Sequence, residues 1–317
     1  MTTATGTTAP DRSVLEGAGL VLGGNVFGWT ADEDASRAVL DGFLAAGGSL
    51  VDTADGYSAW APGHAGGESE HVLGRWIADR GVRDDVVVAT KVSTHPQFRG
   101  LAPENVHAAA RASLDRLGTD RIDLYYAHFD DAETPVDETA AAFSELVDAG
   151  LVRAVGLSNY APERIDAWFA AVERLGLHRP VALQPAYNLL ERDFEGALRE
   201  RAERYSLGVL PYWGLAKGFL TGKYRDGAAA VDSPRAEGAA AYLDDRGRRV
   251  LDVLDRVAAA HGVPVTAVAL AWLRQQPTVV APIASARSTE QLADLVASLE
   301  VTLVDDEVRA LTEASER

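Results

Sequence analysis

Four proton-handling side chains stand at or just beyond the ends of short apolar runs. They are Asp52 after Leu50-Val51, Tyr57 in the loop that follows, Lys91 after residues 86–90, and His128 after residues 122–127. A carboxylate at the end of a buried strand is poorly hydrated unless it is paired, and a tyrosine five residues on can curl back over the same mouth. On residues 49–57 alone, a turn-capping Asp52 and a half-buried loop aromatic are the simpler reading. Singly, Lys91 reads as a snorkelling lysine and His128 as a satisfied core histidine. Together the four fit carbonyl reduction. A hydride delivered to a carbonyl carbon leaves an alkoxide, which needs a proton from an acid about 3 Å away. A phenol of ordinary pKa, about 10, is a weak acid at neutral pH. An ammonium from Lys91 would stabilise the phenolate and lower that value, Asp52 would keep Lys91 charged, and His128 could donate a second bond to the carbonyl oxygen. None of the four supplies a hydride, so the chemistry requires a nicotinamide cofactor.

The elements that must position these residues alternate along the chain. Strands are expected near residues 19–24, 50–52, 86–91, 122–128, 152–158, 181–184, 208–212 and 279–283. Helical spacing appears over residues 32–46, 70–80, 103–117, 136–149, 162–175, 194–205, 243–261, 265–276 and 288–298, with an appended helix at 305–314. Strands about 30 residues apart and joined by helices imply right-handed parallel crossovers, and eight of them indicate a (β/α)8 TIM barrel with long active-site loops. A doubly wound sheet is disfavoured, because residues 23–28 have the wrong spacing for a dinucleotide-binding glycine turn. The Gly/Ala-rich residues 226–241 read as a mobile loop within one domain spanning 13–317, and residues 1–12 as a disordered start. In such a barrel chemistry collects at the C-terminal strand ends, which here also offer Ser158-Asn159, Gln184 and Tyr212-Trp213. So many polar side chains facing one mouth are hard to explain as structure alone.

Composition removes several alternatives. With 47 acidic against 30 basic residues, the 317-residue chain has a formal net charge of −17. It repels nucleic acid and anionic membrane at long range, so any phosphate must be held by local basic groups and helix N-termini. It contains no cysteine, which excludes disulfides and thiolate chemistry. The start lacks the features of a signal peptide, and no run approaches a membrane span of about 20 apolar residues. A cytoplasmic protein is expected, with no nucleic-acid or membrane partner and an oligomeric state that the residues leave open.

The ordered motifs Asp52-Thr53-Ala54-Asp55-Gly56-Tyr57, Gly67-Glu68-Ser69-Glu70, Thr90-Lys91, the strand ending at His128, and Gly156-Leu157-Ser158-Asn159 resemble the aldo-keto reductase superfamily. Gln184-Pro185-Ala186-Tyr187-Asn188, Gly218-Phe219-Leu220-Thr221-Gly222-Lys223-Tyr224, and Ala284-Ser285-Ala286-Arg287 followed by Glu290-Gln291-Leu292 extend the resemblance from about Leu20 to Leu311. It implies Tyr57 as general acid, Lys91 and Asp52 as its tuners and His128 as the substrate-orienting donor. It further implies that Ser158, Asn159 and Gln184 hold the nicotinamide carboxamide and that Tyr212 stacks on the ring. A loop including Leu215 and Lys217 would close over the pyrophosphate, and Ser285, Arg287 and Gln291 would hold the adenosine-phosphate end of NADPH/NADP+. Two positions depart from the family pattern: Trp213 where a serine is common, and Leu295 after Asp294 where an asparagine is common.

Trp29, Trp60, Phe129 and Trp213 follow strand ends and are candidates for the wall of the substrate pocket. His64 and His71 beside Glu68 and Glu70 fit no common metal spacing. The acidic residues 130–133 read as a solvated loop that could bias the pocket towards neutral or cationic substrates. The expected function is NADPH-dependent reduction of an aldehyde, ketone or sugar-type carbonyl. The alternative is a cofactor-binding regulatory subunit of low turnover, as some relatives such as potassium-channel β subunits are. A glycosidase would need two facing carboxylates, and only Asp52 is at hand.

Overall fold

The computed structural model describes residues 11–227 and 233–316. Eight parallel strands form one curled sheet in chain order, with the last strand paired beside the first. They are β1 (Val21–Gly23), β2 (Leu50–Asp52), β3 (Val87–Val92), β6 (Ile122–Ala127), β7 (Val152–Ser158), β8 (Ala182–Gln184), β9 (Gly208–Val209) and β10 (Ile283–Ala284). The two ends of the sheet meet: the amide of Val209 donates to Thr278 O (2.9 Å), that of Val280 to Val209 O (2.8 Å), and that of Ile283 to Pro211 O (2.8 Å). The eighth strand is therefore shorter than residues 279–283 suggest, its first half contributing an isolated bridge at Val279. A two-stranded hairpin, β4 (Thr94–His95) and β5 (Phe98–Arg99), stands beyond β3. The sequence pattern did not announce it.

Helices α1 (Glu33–Ala45), α2 (Glu68–Arg80), α3 (Pro103–Leu117), α4 (Val136–Asp148), α5 (Pro162–Leu175) and α6 (Ala197–Tyr205) follow successive strands of the sheet. Their starts have identifiable causes. Asp32 caps α1 by accepting from the amide of Ala35 (2.9 Å), and proline opens α3 and α5 at positions whose amide would have no partner. The expected helix over 194–205 is instead a 3-10 turn (Asp193–Glu195) followed by α6. The long interval before β10 holds a 3-10 segment (Ala216–Thr221), the short helix α7 (Ala236–Ala240), α8 (Asp245–His261) and α9 (Val265–Arg274). Residues 228–232 of the loop expected to be mobile lie outside the described residues, and its end is helical. Helix α10 (Thr289–Val296) follows β10, and the appended helix α11 (Asp305–Ala314) lies where its pattern placed it. Of the expected disordered start, residues 1–10 lie outside the described residues; Asp11 pairs with Arg153 (3.0 Å) and Arg12 with the carbonyl of Ser206. Among the described residues no single helix is long and apolar enough to cross a membrane.

Alternation along the strands separates two cores. Leu22, Val51, Val88, Tyr125, Val155 and Leu183 belong to the larger one, which also holds the apolar faces of the helices. Val21, Leu50, Ala89, Leu124, Tyr126, Ala154 and Ala182 form the smaller one within the curled sheet, joined by Val14 and Leu15. Fit inside is tight, since a side chain at Gly156 would collide with the ring of Tyr126. Further along the strands with the same inward parity come Asp52, Lys91 and Gln184, two residues on from this inner layer, and Ser158, two beyond Gly156. Register sets them side by side: Ser158 pairs with Gln184, and Asp52 with Ala89, two residues before Lys91.

Candidate active site

The polar ring above the inner layer is connected by direct bonds. Lys91, fully buried, donates from Nζ to Asp52 Oδ2 (2.6 Å), to Thr53 O (2.8 Å) and to Tyr57 Oη (2.8 Å). Tyr57 Oη donates to Asp52 Oδ2 (3.2 Å), and Gln184 Nε2 to Asp52 Oδ1 (2.8 Å). Asp52, only 2% exposed, thus spends both oxygens on donors, as a buried carboxylate must. The loop that returns Tyr57 over the mouth is anchored from below. Thr53 Oγ1 donates to Ser69 Oγ (2.7 Å), which donates to the carbonyl of Gly24 (2.8 Å), and Glu68 accepts from the amides of Ala65 (2.7 Å) and Gly66 (3.0 Å).

The electrostatics differ from expectation in one respect. Burial first, and then the Asp52 carboxylate, push the Tyr57 hydroxyl well above its ordinary value, although the Lys91 ammonium at 2.8 Å favours the phenolate. The phenol is therefore held protonated. Burial likewise pushes Lys91 down, opposed by the charge and hydrogen bond of Asp52. His128 stands with its ring centroid 6.1 Å from that of Tyr57. Burial, followed by the nearby Lys91 charge, holds its pKa well below the ordinary imidazole value. It is neutral at pH 7 and offers one N–H to a ligand.

These residues open on one cavity of about 940 Å³. All the expected cofactor residues line it: Ser158, Asn159, Gln184, Tyr212, Leu215, Lys217, Ser285, Arg287 and Gln291. Several are tied to one another. Ser158 Oγ donates to Gln184 O (2.9 Å), Tyr212 Oη to Asn159 Oδ1 (2.8 Å), and Asn159 Nδ2 to His128 O (2.9 Å). Ser285 Oγ donates to Asn25 Oδ1 (2.8 Å), and Gln291 Oε1 accepts from the Arg287 amide (3.0 Å) just ahead of α10, whose N-cap is Ser288. Trp29, Trp60, Phe129 and Trp213 line the same space, as do Asp294 and Leu295.

Four further cavity residues escaped sequence reasoning: Asn25, Arg99, Lys223 and Arg235. Arg235, at the N-cap of α7, is pushed below its ordinary value by burial, with the Arg287 charge acting in the same direction. It stands between Pro234 and Ala236 in the Gly/Ala-rich segment, where no periodic pattern pointed to it. Lys217, Lys223, Arg235 and Arg287 form no ion pair among the described residues. In a chain of net charge −17, these cations along one cavity fit the phosphates of a dinucleotide. Gly23 packs closely on the eighth strand, since a side chain there would sit 2.5 Å from Ser285 Oγ. At Trp213, which lacks the hydroxyl common at that position, the ring instead carries the Lys217 ammonium 4.4 Å from its centroid.

The acidic loop does not face the cavity. Arg164 holds Asp130 through two bonds of 2.7 Å, and Asp131 accepts from the Leu101 amide and Thr134 Oγ1 (both 2.8 Å). His64 approaches Glu68 at 3.8 Å, and no group of metal-ligating residues occurs among the described residues.

Comparison with known proteins decides the family. The sequence profile of the Aldo/keto reductase family matches residues 19–316. The chain belongs to the aldo/keto reductase family. This aldo/keto reductase is 32% identical to norsolorinic acid reductase B of Aspergillus parasiticus over 310 residues, covering 93% of this chain and 78% of that protein. It is 33% identical to aldo-keto reductase YhdN of Bacillus subtilis over 282 residues, covering 86% and 81%. It is 32% identical over 286 residues to a probable voltage-gated potassium channel subunit beta of Oryza sativa subsp. japonica, covering 87% and 85%. Membership makes the chain an oxidoreductase of a family that generally uses NAD(P)H on small-molecule carbonyls, and the curled parallel sheet is consistent with the family barrel.

Proposed function

We propose that this aldo/keto reductase is an NADPH-dependent carbonyl reductase, a single (β/α)8-barrel domain acting in the cytoplasm on an aldehyde or ketone. The observation that carries the reading is the bonded set Asp52–Lys91–Tyr57 beside a neutral His128 at the floor of a cation-lined cavity. When bound, the reduced nicotinamide supplies the hydride. Tyr57 Oη gives its proton to the carbonyl oxygen as that oxygen gains negative charge, and solvent restores the proton to the phenol. Lys91 stabilises the phenolate left behind, and Asp52 compensates the buried ammonium. His128 donates an N–H to the same oxygen, fixing the carbonyl over Tyr57. Ser158, Asn159, Gln184 and Tyr212 are suited to orient the nicotinamide; Leu215, Lys217, Lys223 and Arg235 to enclose the pyrophosphate; and Ser285, Arg287 and Gln291 to hold the adenosine end. The purified protein should oxidise NADPH when given 4-nitrobenzaldehyde. Tight NADPH binding without turnover of this activated aldehyde would instead favour a regulatory subunit, the reading suggested by the channel-subunit relative.

Preference for NADPH over NADH is assigned to Arg287. The 2′-phosphate carries nearly two negative charges and meets an unfavourable long-range field in so acidic a protein. Close contacts must outweigh that field. Arg287 stands at the start of α10, where free amides and the helix dipole add to its charge. Charge-assisted bonds of this kind are worth roughly 1.5–3 kcal/mol, or about ten- to a hundredfold in affinity. Arg287→Ala is expected to raise the KM for NADPH at least tenfold and leave that for NADH nearly unchanged. Equal losses for both cofactors would defeat the assignment.

A further inference from the structure

A run of rings lines the cavity on either side of Tyr57. Trp29 meets Trp60 edge-on at 5.4 Å between centroids, Trp60 meets Tyr57 at 6.1 Å, Tyr57 meets His128 at 6.1 Å, and His128 meets Phe129 at 4.8 Å. Trp29, Tyr57 and His128 are half-buried in this arc, and its other two rings are exposed. Trp60 is 54% exposed, Phe129 45% and, on another loop of the same cavity, Trp213 41%. Only two other large apolar side chains are comparably exposed among the described residues, Leu175 and Val304, and neither lines the cavity. Large apolar groups left in water around one mouth mark a surface that a ligand covers, and ring edges and faces at these separations suit an offset or edge-on aromatic guest.

The charges at this end of the cavity are also selective. Arg99 lines it from β5 of the hairpin and forms no ion pair among the described residues. The hairpin is fixed to the arc, since Ser93 Oγ accepts from the Phe129 amide (3.2 Å) and Thr94 is in register with Arg99. The nearby carboxylates are committed elsewhere: Asp130 to Arg164, Asp131 to the Leu101 amide and Thr134, and Asp52 to Lys91. Arg99 thus stands on the hairpin beside the aromatic arc with no ion pair among the described residues, and Asp131, which packs against Gly100, is held by the Leu101 amide and Thr134.

Resting on the carbonyl-reductase reading above, we propose that the substrate class is flat, conjugated aromatic aldehydes or ketones bearing an ionised acid group. The aromatic body lies along the Trp29–Trp60–Phe129 arc with its carbonyl at Tyr57, and the acid group reaches Arg99. Open-chain sugars and short aliphatic aldehydes cover too little of the arc to be selected.

The test compares kcat/KM with NADPH for 6-formyl-2-naphthoate, 2-naphthaldehyde and butanal. Each of the first two is expected to exceed the next by at least tenfold. Trp60→Ala should lower the naphthaldehyde-to-butanal ratio at least tenfold. Arg99→Gln should lower the formylnaphthoate-to-naphthaldehyde ratio at least tenfold, and Arg99→Lys should restore most of it. Near-equal efficiencies in the wild type, or ratios unmoved by these variants, overturn the inference. Binding is read separately, by tryptophan quenching in the presence of NADP+, where 2-naphthoate should bind at least tenfold more tightly than hexanoate. Absence of turnover with every aldehyde, 4-nitrobenzaldehyde included, removes the reductase reading. Turnover of 4-nitrobenzaldehyde together with equal binding of the two acids removes the aromatic-acid assignment alone.

Discussion

Tyr57→Phe is expected to lower kcat for carbonyl reduction by about 10²- to 10⁴-fold, the range that a positioned general acid contributes, while NADPH binding stays close to wild type. The substitution removes one oxygen and little volume. Lys91 keeps two of its three acceptors, Asp52 Oδ2 at 2.6 Å and Thr53 O at 2.8 Å, so the buried cluster loses no charge and the fold no major contact. The phenol is a suitable proton source because burial and Asp52 hold it protonated, and the ammonium 2.8 Å away stabilises the phenolate left behind. Cofactor dissociation constants by fluorescence titration and single-turnover rates separate binding from chemistry. A variant that keeps more than a tenth of the wild-type single-turnover rate would show that another group delivers the proton.

Much of this arrangement was legible because the barrel strands obey a period of two. Leu50 and Asp52, Ala89 and Lys91, and Ala182 and Gln184 each pair a small or apolar inner-layer residue with a polar one at the mouth. A strand-end reading therefore collected residues that the structure bonds to one another. Proline at the starts of α3 and α5 fixed those boundaries through amides that would have had no partner. What escaped was set by tertiary contact. The hairpin at residues 94–99 has strands of two residues each, too short for any periodicity. The acidic residues 130–131 looked solvated because their partners, Arg164 and the Leu101 amide, are some 30 residues distant.

Arg235 shows why charge is harder to read than pattern. It lies in a Gly/Ala-rich segment without periodicity, yet it shares a desolvated field with Arg287, more than 50 positions away. The Tyr57 hydroxyl makes the same point. From residue types alone, Lys91 appeared to lower its pKa. In the folded chain the same Asp52 oxygen serves both Lys91 and Tyr57, so burial and the carboxylate prevail over the ammonium.

Lys91→Met should impair reduction and also destabilise the fold, and the two effects can be separated. Methionine approximates the lysine stem but removes the ammonium that sits between Asp52, Thr53 O and Tyr57 Oη. Asp52, 2% exposed, is then left with Gln184 Nε2 at 2.8 Å and Tyr57 Oη at 3.2 Å and no opposite charge. Breaking a buried ion pair on one side costs about 3–5 kcal/mol, a large fraction of the stability of an ordinary domain. The urea midpoint should fall accordingly. Lys91→Met/Asp52→Asn removes both charges and should recover most of that loss, since no buried carboxylate remains unpaired. It should not recover turnover, because Tyr57 still lacks the ammonium that stabilises its phenolate. Recovery of activity together with stability would mean that Lys91 serves only to neutralise Asp52. Recovery of stability alone assigns the ammonium to the proton transfer itself.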